Sequence, residues 1–302
     1  MIEIVKVENK DQEREFVKFP FSLYKGCDYW VPPIISEELE SMDKEKNPVF
    51  ENAEAEFYIA KKDGVTVGRI AAMVNWVEIE EQKKNKLRFG WYDTIDDLEV
   101  SKKLLESVIE FGKKRKLEFV DGPVGFSNMD KAGLLIEGYE ELNTMITWYH
   151  YPYQKEHLKK LGFSKLAEWV EYKIKIFSAE DAPEKVKKFS KIIQQRYELK
   201  VLNFKSRKEI IPYVDKMFEL LNVTYSNLQT YVTIKQYQID FYKEKFIKYI
   251  HPDFIKCCLD KDDNLIAFLI TMPSFSRALK KINGKMGLMG YLHLFKAQHF
   301  ND

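Results

Sequence analysis

The stretch that most constrains this chain runs from Leu87 to Gly122. Leu87-Arg-Phe-Gly-Trp-Tyr-Asp93 reads as an aromatic-rich strand. Leu98–Lys116 reads as a helix, because Leu98, Leu104, Leu105, Val108, Ile109 and Phe111 return near a 3.6-residue period. Leu117–Gly122 then forms a second strand closed by Gly-Pro. A strand, a helix of this length and another strand make a βαβ unit with parallel strands. The strand-to-helix turn of such a unit suits phosphates, since free backbone N–H groups and the helix dipole point there. Here that turn is Thr94-Ile-Asp-Asp97, with no glycine and two carboxylates. Asp96 or Asp97 makes a good N-cap. A capped helix end that already holds negative charge is a poor seat for a pyrophosphate.

With 302 residues the chain can form one large domain or two ordinary ones. Lys+Arg 48 against Asp+Glu 47 leaves no general surplus of positive charge, so no nucleic-acid partner is expected. Cys27, Cys257 and Cys258 form no C-x-x-C pair, which suits a reducing cytoplasm. The start, Met1–Lys6, reads as a strand and not as a signal peptide. No apolar run approaches the ~20 residues that span a bilayer. The expectation is a soluble, cytoplasmic protein with no membrane partner.

Ahead of the βαβ unit come a strand (Ile2–Val7), a helix (Gln12–Tyr24), a short acidic helix (Glu37–Met42) and a hairpin. The hairpin pairs Glu56–Lys61 with Val65–Asn75 across Asp63-Gly64. Trp76–Lys86 reads as a loop or a frayed helix. After the unit, Thr144–His150 is β-prone, Tyr153–Leu161 is a helix stopped by Gly162, and Leu166–Phe177 alternates as a long strand. Ser178–Pro183 is polar and separates two halves, 1–177 and 178–302. The second half again runs helix (Lys185–Arg196), strand (Lys200–Phe204), helix (Ile210–Ser226), helix (Gln236–Tyr249) and hairpin (Phe254–Leu259 with Leu265–Met272). That order hints at two copies of one architecture. Phe275–Ile282 and the start of a helix at Tyr291–His299 close the chain.

The five histidines are scattered, and no metal site is expected. No G-x-S-x-G, G-x-x-x-x-G-K-[ST] or G-x-G-x-x-G occurs. Tyr149-His-Tyr-Pro-Tyr153 is the densest run of acid/base-capable side chains. A tyrosine at a helix start can protonate a leaving thiolate; equally, these rings can seal a sheet edge with hydroxyls bonded to backbone. The Gly122–Gly133 loop places Ser127, Asn128, Asp130 and Lys131 after a parallel strand, where α/β sheets bind ligands; ordinary loop chemistry reads the same way. Arg69, mid-strand, either pairs with Glu56 or faces a pocket. One of Cys257 and Cys258 belongs to a core.

The element order, with Phe19–Tyr24, Trp30-Val-Pro-Pro33, Lys46-Asn-Pro48, Gly64–Ala72, Gly122–Asn128, Lys160–Phe163 and Met272–Leu279, resembles bacterial two-domain proteins of the GNAT superfamily of N-acetyltransferases. The resemblance implies an α/β (α+β) fold of tandem GNAT-like domains, each a mixed, mostly antiparallel sheet flanked by helices. It implies residues 1–177 as a GNAT-like domain lacking a Gly-rich CoA loop, and 178–302 as an incomplete second one, shortened at its C-terminus. The implied activity is acyl-CoA-dependent N-acyl transfer to an amine, with acetyl-CoA or another acyl-CoA as co-substrate. Tyr151 or Tyr153 would be the proton donor, and Ser127 and Asn128 the cofactor contacts. The alternative is a catalytically inactive GNAT-fold binding protein that self-associates through its second domain.

Overall fold

The computed structural model describes residues 1–127, 129–175, 178, 180–246 and 251–300. In chain order the elements are β1 (Ile2–Lys6), α1 (Lys10–Leu23), α2 (Ile35–Met42), β2 (Ala53–Lys62), β3 (Val65–Asn75), α3 (Trp76–Glu80), β4 (Lys86–Thr94), α4 (Leu98–Lys114) and β5 (Phe119–Asp121). They continue with α5 (Pro152–Lys160), α6 (Glu184–Arg196), β6 (Lys200–Asn203), α7 (Arg207–Tyr225), α8 (Gln236–Phe246), β7 (Ile255–Leu259), β8 (Leu265–Ile270), α9 (Ser276–Ile282) and α10 (Leu288–Phe300). Backbone packing divides the chain into two units. The first is Met1–Glu168 with Gln229–Val232 and Pro273–Asp302; the second is Trp169–Leu228 with Thr233–Met272.

The first unit holds a five-stranded sheet in the order β1-β2-β3-β4-β5, antiparallel except for the parallel pair β4–β5. This mixed, mostly antiparallel sheet flanked by helices has the element order expected from the GNAT resemblance. Alternate residues of the central strands enter opposite cores. Ile70, Val74, Leu87 and Phe89 pack under Val100, Leu104, Val108 and Phe111 of α4. Phe57, Ile59, Ala71 and Met73 meet Phe16 and Val17 of α1 on the other face. Local chemistry agrees with this at both ends of the layers. Asn9 caps α1 in a capping box with Gln12, Asp97 caps α4, and Asp63 and Gly64 take the left-handed turn that a two-residue hairpin needs (φ 52° and 80°).

Gly90 marks a close approach in the sheet. A Cβ there would lie 2.5 Å from Val124 O and 3.0 Å from Met73 Cε. Val124 is held in place by its own N–H bond to Phe89 O (2.8 Å). Gly90→Ala is therefore expected to destabilise the unit by about 1–3 kcal/mol, read as a lower urea midpoint at unchanged m-value; an unchanged midpoint would show that the loop yields freely.

The stretch open to a loop or a frayed helix holds a short helix, Trp76–Glu80, in which Asn75 Oδ1 accepts from Val77 N (3.1 Å). Two segments depart from the sequence reading. Thr144–His150 is not a strand. Asn143 closes it into a turn, donating to Thr147 O (3.1 Å) and accepting from Thr147 Oγ1 (2.8 Å). Residues 166–175 are not a strand either; 176–177 lie outside the described residues. The segment has alternation but no ladder to join, because β5 is three residues long and leads into a loop.

The second unit contains the antiparallel sheet β6-β7-β8. Phe204, Ile210, Val214, Met217, Ile255 and Cys257 form its core. Cys257 is thus the core cysteine, its thiol pushed up to about 11 by burial, which makes it a poor nucleophile. Helix α6 buries none of its residues, and Val186, Phe189 and Ile193 along it are exposed.

Candidate functional site

The polar centre of the first unit is built at the C-terminal end of β4. Antiparallel register sets Arg69 of β3 opposite Asp93 of β4. Arg69 Nε and Nη2 both reach Asp93 Oδ2 at 2.8 Å, and Nη1 donates to Phe16 O at 3.1 Å. The other carboxylate oxygen, Oδ1, accepts from Tyr24 Oη at 2.7 Å. All three side chains are buried. Burial, with the Asp93 carboxylate second, holds the Tyr24 phenol well above its ordinary value. Arg69 thus pairs with Asp93 and not with Glu56, which takes Lys6 (3.0 Å) and Tyr58 Oη (2.6 Å) instead. The pairing depends on a bulge. The register jumps between Arg69↔Asp93 and Ala71↔Gly90, and Trp91 adopts a left-handed φ of 47°.

A small cleft of about 20 Å³, room for roughly one water, opens on this centre. Tyr24, Trp30, Arg69, Asp93, Lys131 and Tyr149 line it. Trp30 stacks on Tyr24 with ring centroids 5.3 Å apart. Burial lowers the Lys131 ammonium from its ordinary value. Behind the cleft, His150 is fully enclosed and its Nδ1 accepts from Leu135 N (3.3 Å).

Beyond Arg88, β4 and β5 part. The parallel pairing covers only Lys86–Arg88 with Phe119–Asp121. Past that fork, carbonyl groups of β4 bond to side chains of α5. Gln154 Nε2 donates to Tyr92 O (3.2 Å) and Tyr153 Oη to Thr94 O (2.6 Å). Gln154 Oε1 also accepts from Tyr151 N (2.8 Å), closing the start of α5. His157, one turn on, lies 2.8 Å from Ser101 Oγ and 3.2 Å from Asp96 Oδ1.

The expected site residues are distributed as follows. Tyr151 and Tyr153 stand together, centroids 5.7 Å apart, and Tyr151 also packs 5.1 Å from Tyr24. Burial raises both phenols. Ser127 is buried in its own loop: its N–H donates to Asp130 Oδ2 (3.0 Å) and its hydroxyl accepts from Met129 N (3.1 Å). Asn128 lies outside the described residues. Of that loop, Lys131 reaches the cleft. Asp93 and Tyr24 were not singled out from sequence; the one signal for them was a charged Arg69 in the middle of an apolar strand.

The β4–α4 turn does not fit a pyrophosphate. Asp97 accepts from Glu99 N (3.1 Å) and pairs with Lys62 (3.1 Å), so backbone donors and the nearby cation already serve a carboxylate. Lys62 and these N–H groups hold the Asp97 carboxyl below its usual range. Among the described residues no group of three His, Cys, Asp or Glu side chains could hold a metal, and no helix is long and apolar enough to cross a membrane.

No family model matches the chain. It is 26% identical to Protein YghO of Escherichia coli over 290 residues, 95% of this chain and 72% of that protein. It is 22% identical to the bacterial ceramide synthase of Caulobacter vibrioides over 174 residues, 57% of this chain and 45% of that protein. The chain therefore aligns with less than half of the synthase. Among solved structures, a tandem GNAT protein from the clavulanic acid biosynthesis pathway covers 89% of this chain and 73% of its own, at 10% identity and a TM-score of 0.43. An acetyltransferase of the GNAT family from Staphylococcus aureus covers 40% and 73%, at 16% identity and a TM-score of 0.30.

Proposed function

We propose that the chain is an acyl-CoA-dependent N-acyltransferase of the GNAT type, and that its acceptor is a long-chain amine. The observation that carries the reading is the position of Tyr151 and Tyr153 at the start of α5, beside the length of β4 that β5 has left. An extended thioester lying along that length would bring its sulfur near tyrosine hydroxyls. The chemistry needs an unprotonated amine to attack the carbonyl carbon and a proton for the departing thiolate. Tyr153 is committed to Thr94 O, and burial makes it a weak acid. Tyr151 stands beside it, half-buried, and is the better donor. The acceptor class follows the name of the Caulobacter relative, since a ceramide is the amide of a long-chain amino alcohol.

Titrating acetyl-CoA and a long-chain acyl-CoA into the purified chain tests the first half. A ligand that binds the native state at 100 times its Kd adds about 2.7 kcal/mol of stability, visible as a higher Tm; no shift with either thioester removes the proposal. Where turnover with a long-chain amine is found, Tyr151→Phe is expected to reduce kcat about 100-fold with little change in Tm. Equal turnover would take Tyr151 out of the mechanism.

A second reading, a binding protein without turnover, is favoured by two observations. Side chains of α5 already fill the β4 acceptors, and the β4–α4 turn is acidic. Thioester binding without product formation from any amine would support it.

A further inference from the structure

From Pro273 to Asn301 the sequence carries Arg277, Lys280, Lys281, Lys285 and Lys296, with His293 and His299, and no aspartate or glutamate. In a chain whose charges otherwise balance, this is the one long segment of a single sign. It folds as the α9–α10 hairpin of the first unit. Helix α9 turns Ala278, Leu279 and Ile282 inward, where Leu279 and Ile282 join Val31 and Ile34. Asn283 and Gly284, both left-handed (φ 46° and 80°), turn the chain into α10. Gly290 and Ala297 are the buried residues of α10.

What this packing leaves outward is of two kinds. Between the helices lies a cavity of about 230 Å³, lined by Arg277, Lys281, His293 and Lys296 with the methyls of Ala278 and Ala297. Arg277 and Lys281, one turn apart, make no ion pair among the described residues. Beside it, Leu288, Leu292 and Phe295 fall at the i, i+4, i+7 spacing of one helical face, 80%, 53% and 55% exposed. Lys296 and then His293 follow around the helix from that stripe toward the cavity, with exposed Met289 between them. An exposed apolar row with cations on one flank can seat acyl carbons and phosphates side by side at a lipid interface. A nucleic-acid backbone would use the cations but not the exposed leucines, and a soluble anion would use neither Leu292 nor Phe295.

We propose that the α9–α10 hairpin docks on an anionic phospholipid surface, with lipid phosphates in the Arg277–Lys281–His293–Lys296 cavity and the Leu288–Phe295 stripe among the first acyl carbons. Surface docking needs no spanning helix, and it goes beyond the acyltransferase reading and stands without it. The test is co-sedimentation of the full chain with vesicles of phosphatidylcholine mixed with phosphatidylglycerol, against phosphatidylcholine alone. Strong binding to the mixed vesicles that falls with salt is expected. Arg277→Gln with Lys281→Gln should weaken it roughly 30-fold, at about fivefold per cation. Leu292→Ser with Phe295→Ser should also weaken it; all four side chains are exposed, so an unchanged Tm separates docking from folding. Binding to neither vesicle, equal binding to both, or full binding by either folded double variant overturns the proposal. Stabilisation by inorganic phosphate without vesicle binding would overturn it too, in favour of a soluble anion.

Discussion

Replacing Arg88 by leucine is expected to lower the stability of the first unit by about 3–5 kcal/mol, the loss typical of one partner removed from a buried ion pair. Arg88 Nε and Nη2 grip Glu78 Oε2 and Oε1 at 2.7 Å each, and its remaining donors serve Gly125 O (3.1 Å) and Thr230 O (2.7 Å). Lys86, two residues away on the same face of β4, holds Asp121 (2.6 Å) and Glu78 (3.1 Å). The four charges are all buried and sum to zero. Without Arg88, one cation must serve two carboxylates out of water, and two backbone carbonyls lose their donors. The companion variant, Arg88→Leu with Glu78→Leu, should recover a large part of the loss, because an apolar pair carries no desolvation penalty. Urea midpoints of the wild type, both singles and the double complete the cycle. A single-variant loss below about 1 kcal/mol would mean that water reaches this network.

The second large effect is of pH. Burial pulls the His150 imidazole down to about 4, against about 6.5 in an unfolded chain. Above pH 6.5 the ring is neutral in both states and contributes nothing. As pH falls from 6.5 toward 4, the unfolded chain takes up a proton that the folded one refuses, so stability drops, by about 3 kcal/mol at the lower end. Leu135 N donates to Nδ1, so the neutral ring keeps its proton on Nε2. His150→Gln should remove most of this slope while the remaining acid sensitivity persists. Urea midpoints between pH 7 and 4 would show it; parallel curves for wild type and variant would assign the slope elsewhere.

What the sequence made legible follows from how local each signal is. The β4–α4–β5 unit, the Asp-Gly hairpin and the Asp97 cap depend on residues a few positions apart, and all are present. Gly162 stops α5 in a left-handed conformation (φ 90°), again a local matter. The strand expected at Leu166–Phe177 needed a partner edge, which alternation alone does not report. The Arg69–Asp93 pair needed a bulge at Trp91 to bring the two into register, and no residue type announces a bulge. Tyr151 and Tyr153 came from density of chemistry in the sequence, and their neighbourhood to β4 depended on where α5 docks. Ser127 is instructive in the opposite sense. A loop rich in Ser, Asn and Asp satisfies its own backbone as readily as a ligand, and here Asp130 turns back to do so.

The bonds from Gln154 and Tyr153 to β4 make α5 a competitor held in the same molecule. Any extended chain that sought Tyr92 O and Thr94 O would first have to displace it, so the apparent affinity for such a chain is its intrinsic affinity reduced by the grip of α5. Substitutions that loosen that grip then act with opposite signs on two measurements. They lower the melting temperature of the free protein and raise its hold on what replaces the helix.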